Sequence, residues 1–124
     1  MKYIELIIFD LDGTLVDSKE NIVNAVNLTL KKIGLREKDK HEISSYIGNG
    51  TEYLIKKSLG ESGNTILDKT LSVFENYYRE HPADYSSLYP NVKKMLEYFK
   101  DKKKVVITNG KYELALLALK SLNR

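Results

Sequence analysis

The sequence contains no cysteine, which excludes disulfide bonds and thiolate metal sites. It also lacks a long apolar run, and no stretch approaches the roughly 20 apolar residues that a membrane-spanning helix needs. The first residues do not combine the charged region, the longer apolar region and the small-residue cleavage site of a secretory signal. We therefore expect a soluble, cytoplasmic protein with no membrane partner.

Charge of one sign is not concentrated anywhere in the chain. The sequence has 20 Lys and Arg residues against 17 Asp and Glu residues, a formal net charge of +3. A nucleic-acid-binding protein usually gathers its positive charge on one face. The densest basic cluster, residues 100–104, is interpreted as a solvated turn between a helix and a strand. We expect no nucleic-acid partner.

Two short apolar runs predict β-strands. Residues 4–9 (Ile-Glu-Leu-Ile-Ile-Phe) and residues 104–108 (Lys-Val-Val-Ile-Thr) are rich in β-forming residues and are followed by glycine and polar residues. Such runs are typical of strands that are buried on both faces of a parallel sheet. A right-handed crossover between them would make them parallel neighbours in one α/β sheet.

Between these strands, apolar residues recur at helical spacing in four stretches. The first helix is predicted to begin at Asp17 or Ser18, with Glu20 able to complete a capping box, and to end at Gly34. Three further helices are bounded by other signals: residues 39–46, a Thr51 cap with Gly60 as the stop, and Pro82 as the last stop. Two more helices flank the second strand, around residues 92–99 and 114–122.

The segment that carries chemistry is Asp-Leu-Asp-Gly-Thr-Leu-Val-Asp at residues 10–17, directly after the first strand. Open α/β sheets bind ligands beyond the carboxyl ends of their strands. Residues i and i+2 of an extended chain point to the same side, so Asp10 and Asp12 can face one ligand. An isolated Asp-x-Asp pair would more often be an acidic turn, but the whole motif after a hydrophobic strand is far more specific.

Two neighbouring carboxylates suit phosphoryl transfer. One can attack phosphorus and form an aspartyl-phosphate, while the other delivers a proton to the leaving oxygen and later takes one from water. Because the nucleophile and the phosphate are both anionic, a hard cation such as Mg²⁺, held by carboxylate and carbonyl oxygens, would reduce their repulsion.

At these residues the sequence resembles the haloacid dehalogenase superfamily, whose first motif is Asp-x-Asp-Gly-Thr. The resemblance implies that Asp10 is the nucleophile, that Asp12 is the general acid/base, and that both residues bind Mg²⁺, Asp12 through its backbone carbonyl. Members that cleave carbon–halogen or carbon–phosphorus bonds lack the second Asp, so its presence implies phosphate chemistry. Gly13 is included among the residues that hold the phosphate.

The second motif of that family is a strand that ends in Thr or Ser, often followed by Asn, and Thr108-Asn109-Gly110 matches it. A hydroxyl and backbone N–H groups between a strand end and a helix start suit phosphate oxygens. We expect Thr108 and Asn109 to bind the phosphate. Lys111 is a weaker candidate, because an exposed lysine at a helix start is an ordinary feature.

Residues 46–51, 77–82 and 89–92 most resemble the phosphoglycolate phosphatases, in which a helical cap lies between the two motifs. The fold implied is α/β: an incomplete Rossmann-like parallel-sheet core at residues 1–17 and 85–124, with a four-helix cap inserted at residues 18–84. Asn49, with Gly48 and Gly50, is a candidate for a cap loop that closes over the substrate, although a plain helix–helix turn explains these residues equally well.

The resemblance covers only the first part of the family's pattern. A third motif supplies a lysine, and a fourth supplies Mg²⁺-binding acids after a later strand, but the only acid after Asn109 is Glu113 in the predicted last helix. We expect an N-terminal portion, either truncated or completed by a homodimer or a second chain that supplies the missing core strands.

The predicted function is that of a Mg²⁺-dependent phosphatase that acts on a small phosphorylated metabolite such as phosphoglycolate through an aspartyl-phosphate intermediate. Two alternatives remain open. One is a sugar-phosphate mutase of the same superfamily, which transfers the phosphoryl group to a second hydroxyl rather than to water. The other is a non-catalytic half-protein that binds phosphate or Mg²⁺.

Overall fold

A computed structural model describes residues 5–61 and 65–122 of the chain. Within them the elements follow in the order β1 (Leu6–Asp10), β2 (Val16–Asp17), α1 (Lys19–Lys32), α2 (Lys40–Ser44), α3 (Thr51–Leu59), α4 (Leu67–Glu80), β3 (Ser87–Leu88), α5 (Val92–Tyr98), β4 (Lys103–Ile107) and α6 (Tyr112–Leu122). No helix in these two ranges is both long and apolar enough to cross a membrane.

Strands β1 and β4 form a parallel two-stranded sheet, so the predicted α/β class and strand pairing are confirmed. The register pairs Leu6 with Lys103 at one end and Asp10 with Ile107 at the other. Because the strands run in the same direction and end in register, the turns that follow both of them leave the sheet at one edge. The start of the first predicted strand, at Ile4, lies outside the described residues.

Helices α1 to α4 pack around one apolar cluster, which explains the helical spacing of the sequence. The predicted stripes of α1 and α4 are buried in it, including Val26, Leu30, Phe74 and Tyr78. Burying a side chain of this size stabilises a fold by about 1.5–3 kcal/mol. The prediction that residues 18–84 form a separate cap remains a prediction.

A second, very short sheet joins the places where the chain enters and leaves these helices. Strand β2 pairs antiparallel with β3, and the Tyr89 N–H donates a 3.1 Å hydrogen bond to the Leu15 carbonyl. The side-chain amide of the buried Asn21 also joins α1 to the segment between α4 and β3. It donates a hydrogen bond to the Pro82 carbonyl at 3.1 Å and accepts one from the Tyr85 N–H at 3.1 Å. This sheet could not be predicted from the sequence, because two-residue strands are too short to show a periodic pattern.

One predicted helix start and one predicted helix end are wrong in detail. Gly50, rather than Thr51, is the N-cap of α3, and its φ of 94° is a conformation that glycine adopts far more easily than other residues. Helix α2 is shorter than residues 39–46 and is capped by Asp39, whose carboxylate accepts a 3.0 Å hydrogen bond from the His41 N–H. The stop of α3 at Gly60 is confirmed.

The prediction that the main strands are buried on both faces is wrong for the described residues. Phe9 packs in a cluster with Val92 of α5 and Leu119 of α6. On the other side of the strands, Ile8 is 57% exposed and Ile107 is 56% exposed. The physical reason is that the described helices cover only one face of this small sheet.

Candidate active site

A pocket opens at the edge of the sheet where β1 and β4 end. Asp10 lines it from the end of β1, and Asp12 lines it from the turn that follows. Thr108, Asn109 and Lys111 line it from the turn after β4. This is the edge at which open α/β sheets bind ligands. The structure therefore brings these five predicted site residues to one place.

The walls of the pocket are mainly apolar. They are formed by helices that lie between β1 and β4 in the sequence and by α6, which follows β4. Most of the apolar residues that line it belong to α1, α3, α4 and α6, and they include Ile22, Leu54, Phe74, Tyr78 and Leu114. Most of the polar groups thus lie at the sheet edge, while the opposite wall is mainly apolar. Such a division is common in small-molecule sites, where a few polar groups orient the ligand.

The turn after β1 is organised around the buried Leu11. The N–H groups of Leu15 and Val16 both donate to the Leu11 carbonyl, at 3.0 and 3.1 Å. Gly13 has a φ of 84°, and its own N–H donates to the Val16 carbonyl at 2.9 Å. Gly13 does not line the pocket, because its amide is used to close the turn. The geometry therefore gives no support to the predicted contact between Gly13 and the phosphate.

Asp10 and Asp12 lie in different surroundings. Asp10 is exposed at the strand end, where its Oδ1 accepts a 2.9 Å hydrogen bond from the Leu11 N–H. Asp12 is less exposed, and its Oδ1 accepts a 2.6 Å hydrogen bond from the Ser18 hydroxyl. Burial raises the pKa of Asp12 above its usual value, the Ser18 hydrogen bond opposes that rise, and the charge of Asp10 adds to it. A raised pKa suits a carboxyl group that must carry a proton for part of a reaction.

Ser18 was expected to cap α1, and this expectation is wrong for its side chain. Ser18 occupies the N-cap position but makes no side-chain capping bond. Glu20 does not complete a capping box either, since its carboxylate pairs with Lys40. A serine that caps a helix and a serine that contacts Asp12 would occupy the same place in the sequence. The sequence therefore could not distinguish these two roles of Ser18.

Tyr78 lies on the apolar wall of this pocket. Burial, reinforced by the negative charge of Asp12, raises the pKa of Tyr78 to about 12. The phenol therefore stays neutral at physiological pH. In the sequence, Tyr78 belongs to the apolar stripe of α4, and a place on that stripe carries no sign of the nearby pocket.

The turn after β4 contacts the loop before α3. The Asn109 side-chain amide donates a 2.7 Å hydrogen bond to the Gly48 carbonyl. A Cβ atom on Gly50 would lie 3.1 Å from the Asn109 carbonyl oxygen, which is closer than side chains normally approach. Gly48 and Gly50 line the pocket, whereas Asn49 does not. The predicted loop thus reaches the site through its backbone rather than through the Asn49 side chain.

Lys111 lies at the pocket but is held by an acidic partner. Its Nζ is 2.6 Å from Oε2 of Glu75 on α4, and the Glu75 side chain is only 14% exposed. A second ion pair joins α4 to the start of α6, with Arg79 Nη2 2.9 Å from Glu113 Oε1. Glu75 could not be predicted as a partner of Lys111, because it is far from Lys111 along the chain and belongs to no motif.

Asp10 and Asp12 provide a partial set of ligands for a metal ion. Among the residues with described positions, no group of three or more His, Cys, Asp or Glu side chains could hold a metal. Mg²⁺, however, is often bound by one or two carboxylates, with water and substrate phosphate oxygens in the other positions. The charge of Asp10 raises the pKa of Asp12, so the two groups lie close enough to repel. A cation would relieve that repulsion, and the pair therefore fits Mg²⁺.

Comparison with known families shows to which family this chain belongs. A family model described as haloacid dehalogenase-like hydrolase matches residues 7–124, including both turns that enter the pocket. The chain belongs to this family. The resemblance inferred from the Asp-x-Asp motif and from Thr108 is therefore confirmed.

Several proteins are similar to this member of the haloacid dehalogenase-like family, two of them in sequence and one solved structure also in fold. The phosphoglycolate phosphatase of Aquifex aeolicus is 38% identical over 120 residues, which are 95% of this chain and 55% of that protein. The phosphoglycolate phosphatase of Chromobacterium violaceum is 33% identical over 123 residues, again 55% of its length. The crystal structure of a predicted phosphoglycolate phosphatase from Haemophilus somnus superposes with a TM-score of 0.90 at 30% identity, covering 98% of this chain and 59% of that one.

The haloacid dehalogenase-like chain thus spans little more than half the length of the curated relatives that it matches. Its Asp-x-Asp and Thr108 turns are both within the matched part. The shared fold accounts for the parallel pairing of β1 and β4 and for the helices between them.

Proposed function

We propose that this protein is a Mg²⁺-dependent phosphatase that hydrolyses a small phosphate monoester of the phosphoglycolate type. The observation that carries the proposal is the convergence of Asp10, Asp12 and Thr108 on one pocket at the sheet edge. The names of the similar proteins from Aquifex aeolicus and Chromobacterium violaceum support the choice of substrate.

In the first step, an oxygen of Asp10 attacks phosphorus, and the bond between phosphorus and the leaving oxygen breaks. Asp12 donates its proton to that leaving oxygen, which departs as an alcohol. In the second step, Asp12 takes a proton from a water molecule, whose oxygen attacks the aspartyl-phosphate. The Asp10–phosphate bond then breaks, and inorganic phosphate is released. The raised pKa of Asp12 supports this division of roles.

Phosphate oxygens would be held by the turn after β4. The Thr108 hydroxyl and the backbone N–H groups that lead into α6 are the donors available there. In the structure the Thr108 hydroxyl oxygen accepts a 3.1 Å hydrogen bond from the Gly110 N–H, a contact that does not use the hydroxyl hydrogen. Asn109 contributes by holding the Gly48 loop beside the site.

The Asp10 carboxylate and the Asp12 backbone carbonyl would hold the Mg²⁺ ion. When bound, the ion would neutralise part of the negative charge shared by the carboxylates and the phosphate. Lys111 is the only basic side chain among the described residues that line the pocket, so it is the candidate for a second negative group of the substrate.

The decisive experiment measures phosphate release from phosphoglycolate and from an aryl phosphate, with Mg²⁺ or with EDTA. We expect turnover that requires Mg²⁺ and that falls by at least about 10³-fold in Asp10→Asn, because the amide is not a competent nucleophile. Asp101→Asn, in the exposed turn before β4, is the matched control and should retain full activity.

Turnover that persists in Asp10→Asn or in EDTA would contradict the proposal. If the folded chain binds phosphate without turnover, the non-catalytic alternative is favoured. Transfer of the phosphoryl group to a second hydroxyl of a sugar phosphate, rather than to water, would favour the mutase.

A further inference from the structure

Ser18 makes an unusual use of its position at the start of α1. It occupies the N-cap position, where serine normally accepts a hydrogen bond from the backbone of the first turn, yet it makes no such bond. Its hydroxyl instead donates to Asp12 Oδ1 at 2.6 Å. Ser18 is only 4% exposed, so water competes poorly for this contact.

We propose that Ser18 is a positioning residue that holds the Asp12 carboxyl group in its reactive orientation. The inference rests on the proposed function, in which Asp12 is the general acid/base. A hydrogen bond to Oδ1 restricts rotation of the carboxyl group and leaves Oδ2 to carry the proton of the acid form. Proton transfer requires this oxygen to lie within hydrogen-bonding distance of the leaving group, so orientation has a direct effect on rate.

The contact also ties Asp12 to the helices on the far side of the pocket. Ser18 follows β2 directly and begins α1, where its carbonyl accepts a 2.9 Å hydrogen bond from the Ile22 N–H. Ile22 itself lines the pocket. The side chain that orients the acid therefore belongs to the same turn of helix that forms part of the apolar wall.

The contrasting explanation is that Ser18 only satisfies a partly buried carboxylate. The chain offers a matched control for that explanation in Ser58, which is also buried and whose hydroxyl donates to the Leu54 carbonyl at 2.7 Å within α3. Ser58 does not line the pocket. Ser58→Ala therefore removes a buried hydroxyl without removing the contact to Asp12.

The first test does not depend on turnover. Three-bond NMR couplings report the χ1 rotamer populations of Asp12 in the wild type and in the variants Ser18→Ala, Ser18→Thr and Ser58→Ala. We expect one dominant rotamer in the wild type, in Ser18→Thr and in Ser58→Ala, and a mixture in Ser18→Ala. If Ser18→Ala does not fold, Ser18→Gly takes its place, because glycine is tolerated at a helix N-cap. An unchanged Asp12 rotamer in the folded variant would overturn the proposal.

The second test compares substrates that differ in their need for a proton. For an alkyl phosphate, whose leaving oxygen must be protonated, Ser18→Ala should lower kcat by about 10- to 100-fold with little change in KM. For an aryl phosphate with an acidic leaving group, Ser18→Ala should slow the step that forms the phosphoenzyme by a smaller factor. Ser18→Thr should restore the rate on both substrates. An equal loss of that step on both substrates would overturn the proposal. Absence of turnover in the wild type would instead reject the proposed function, and the rotamer measurement would still decide the role of Ser18.

Discussion

At the scale of single residues, the surroundings of Asp12 favour a protonated carboxyl group. Burial raises its pKa, and the adjacent charge of Asp10 adds to that effect. The Ser18 hydroxyl recovers part of the cost of burying the charge, because a hydrogen bond stabilises a carboxylate. A group held in this way lowers the stability of the folded chain at neutral pH, which is a common cost of an active site.

Asp12→Asn is therefore expected to increase the free energy of unfolding at pH 7 to 8. A carboxyl group with a raised pKa in the folded state favours folding most at low pH, and this contribution is lost as the pH rises through the raised value. Below the ordinary value of 3.8 the carboxyl group is protonated in both states, so the difference between the variant and the wild type should shrink as the pH falls towards 4. Urea unfolding followed by circular dichroism, with EDTA present, measures the free energy of unfolding of both proteins at each pH.

The exposed Asp101→Asn serves as the control for loss of a negative charge, and it should show no comparable pH dependence. A stability difference for Asp12→Asn that stays constant between pH 4 and pH 8 would contradict the prediction. So would a loss of stability at neutral pH.

At the scale of elements, the site is assembled by contacts between α3, α4 and the turn after β4. Asn109 binds the Gly48 carbonyl, and Gly50 allows the two loops to approach. The pairs Lys111–Glu75 and Arg79–Glu113 join α4 to the start of α6 on the same side. The pairing with Arg79 lowers the pKa of Glu113, as expected for adjacent opposite charges. Both pairs help to align the helices. The exposed Arg79–Glu113 pair is screened by salt, whereas the Glu75 carboxylate is largely shielded from solvent.

Gly50→Ala is expected to weaken the contact between these loops and to reduce phosphate binding. The new Cβ would meet the Asn109 carbonyl oxygen at 3.1 Å, and the φ of 94° is unfavourable for alanine. Strain of this kind costs about 1–3 kcal/mol. Urea unfolding measures the stability, and isothermal titration calorimetry with inorganic phosphate and Mg²⁺ measures binding.

Gly60→Ala provides a matched control, because Gly60 also has a positive φ but no atom of the described residues lies within 4 Å of its added Cβ. We expect both variants to lose stability, and only Gly50→Ala to lose phosphate affinity. Equal phosphate affinities in the two variants would show that the close approach at Gly50 has no role in the site.

At the scale of the whole molecule, the small sheet presents an apolar surface to solvent. More than half of Ile8 and Ile107 is exposed, and Val105 lies beside them. Contiguous exposed apolar patches are often contact surfaces. We propose that a second copy of the chain covers this surface.

The chain is accordingly expected to associate with itself as its concentration rises. Light scattering coupled to size-exclusion chromatography measures the mass. The double variant Ile8→Thr and Ile107→Thr should reduce association with little effect on the fold, because both side chains are exposed. Tyr98→Thr removes an exposed aromatic residue of α5 and should leave association unchanged. A wild-type chain that remains monomeric at all concentrations would contradict this proposal.

The amino-acid sequence by itself determined the family, the parallel pairing of β1 and β4, and the location of Asp10, Asp12 and Thr108 at one edge. These features follow from local patterns: apolar runs form strands, and residues directly after parallel strands meet at the same edge. The helical stripes that carry Leu30 and Phe74 could be predicted for the same reason.

The tertiary structure alone decided how the polar groups are paired. Ser18 bonds to Asp12 rather than to its own helix, the Gly13 amide closes a turn, and Lys111 meets Glu75. Each of these polar groups has several chemically equivalent partners in the sequence. The choice among them depends on distances that exist only after α1, α4 and α6 have packed against the sheet edge.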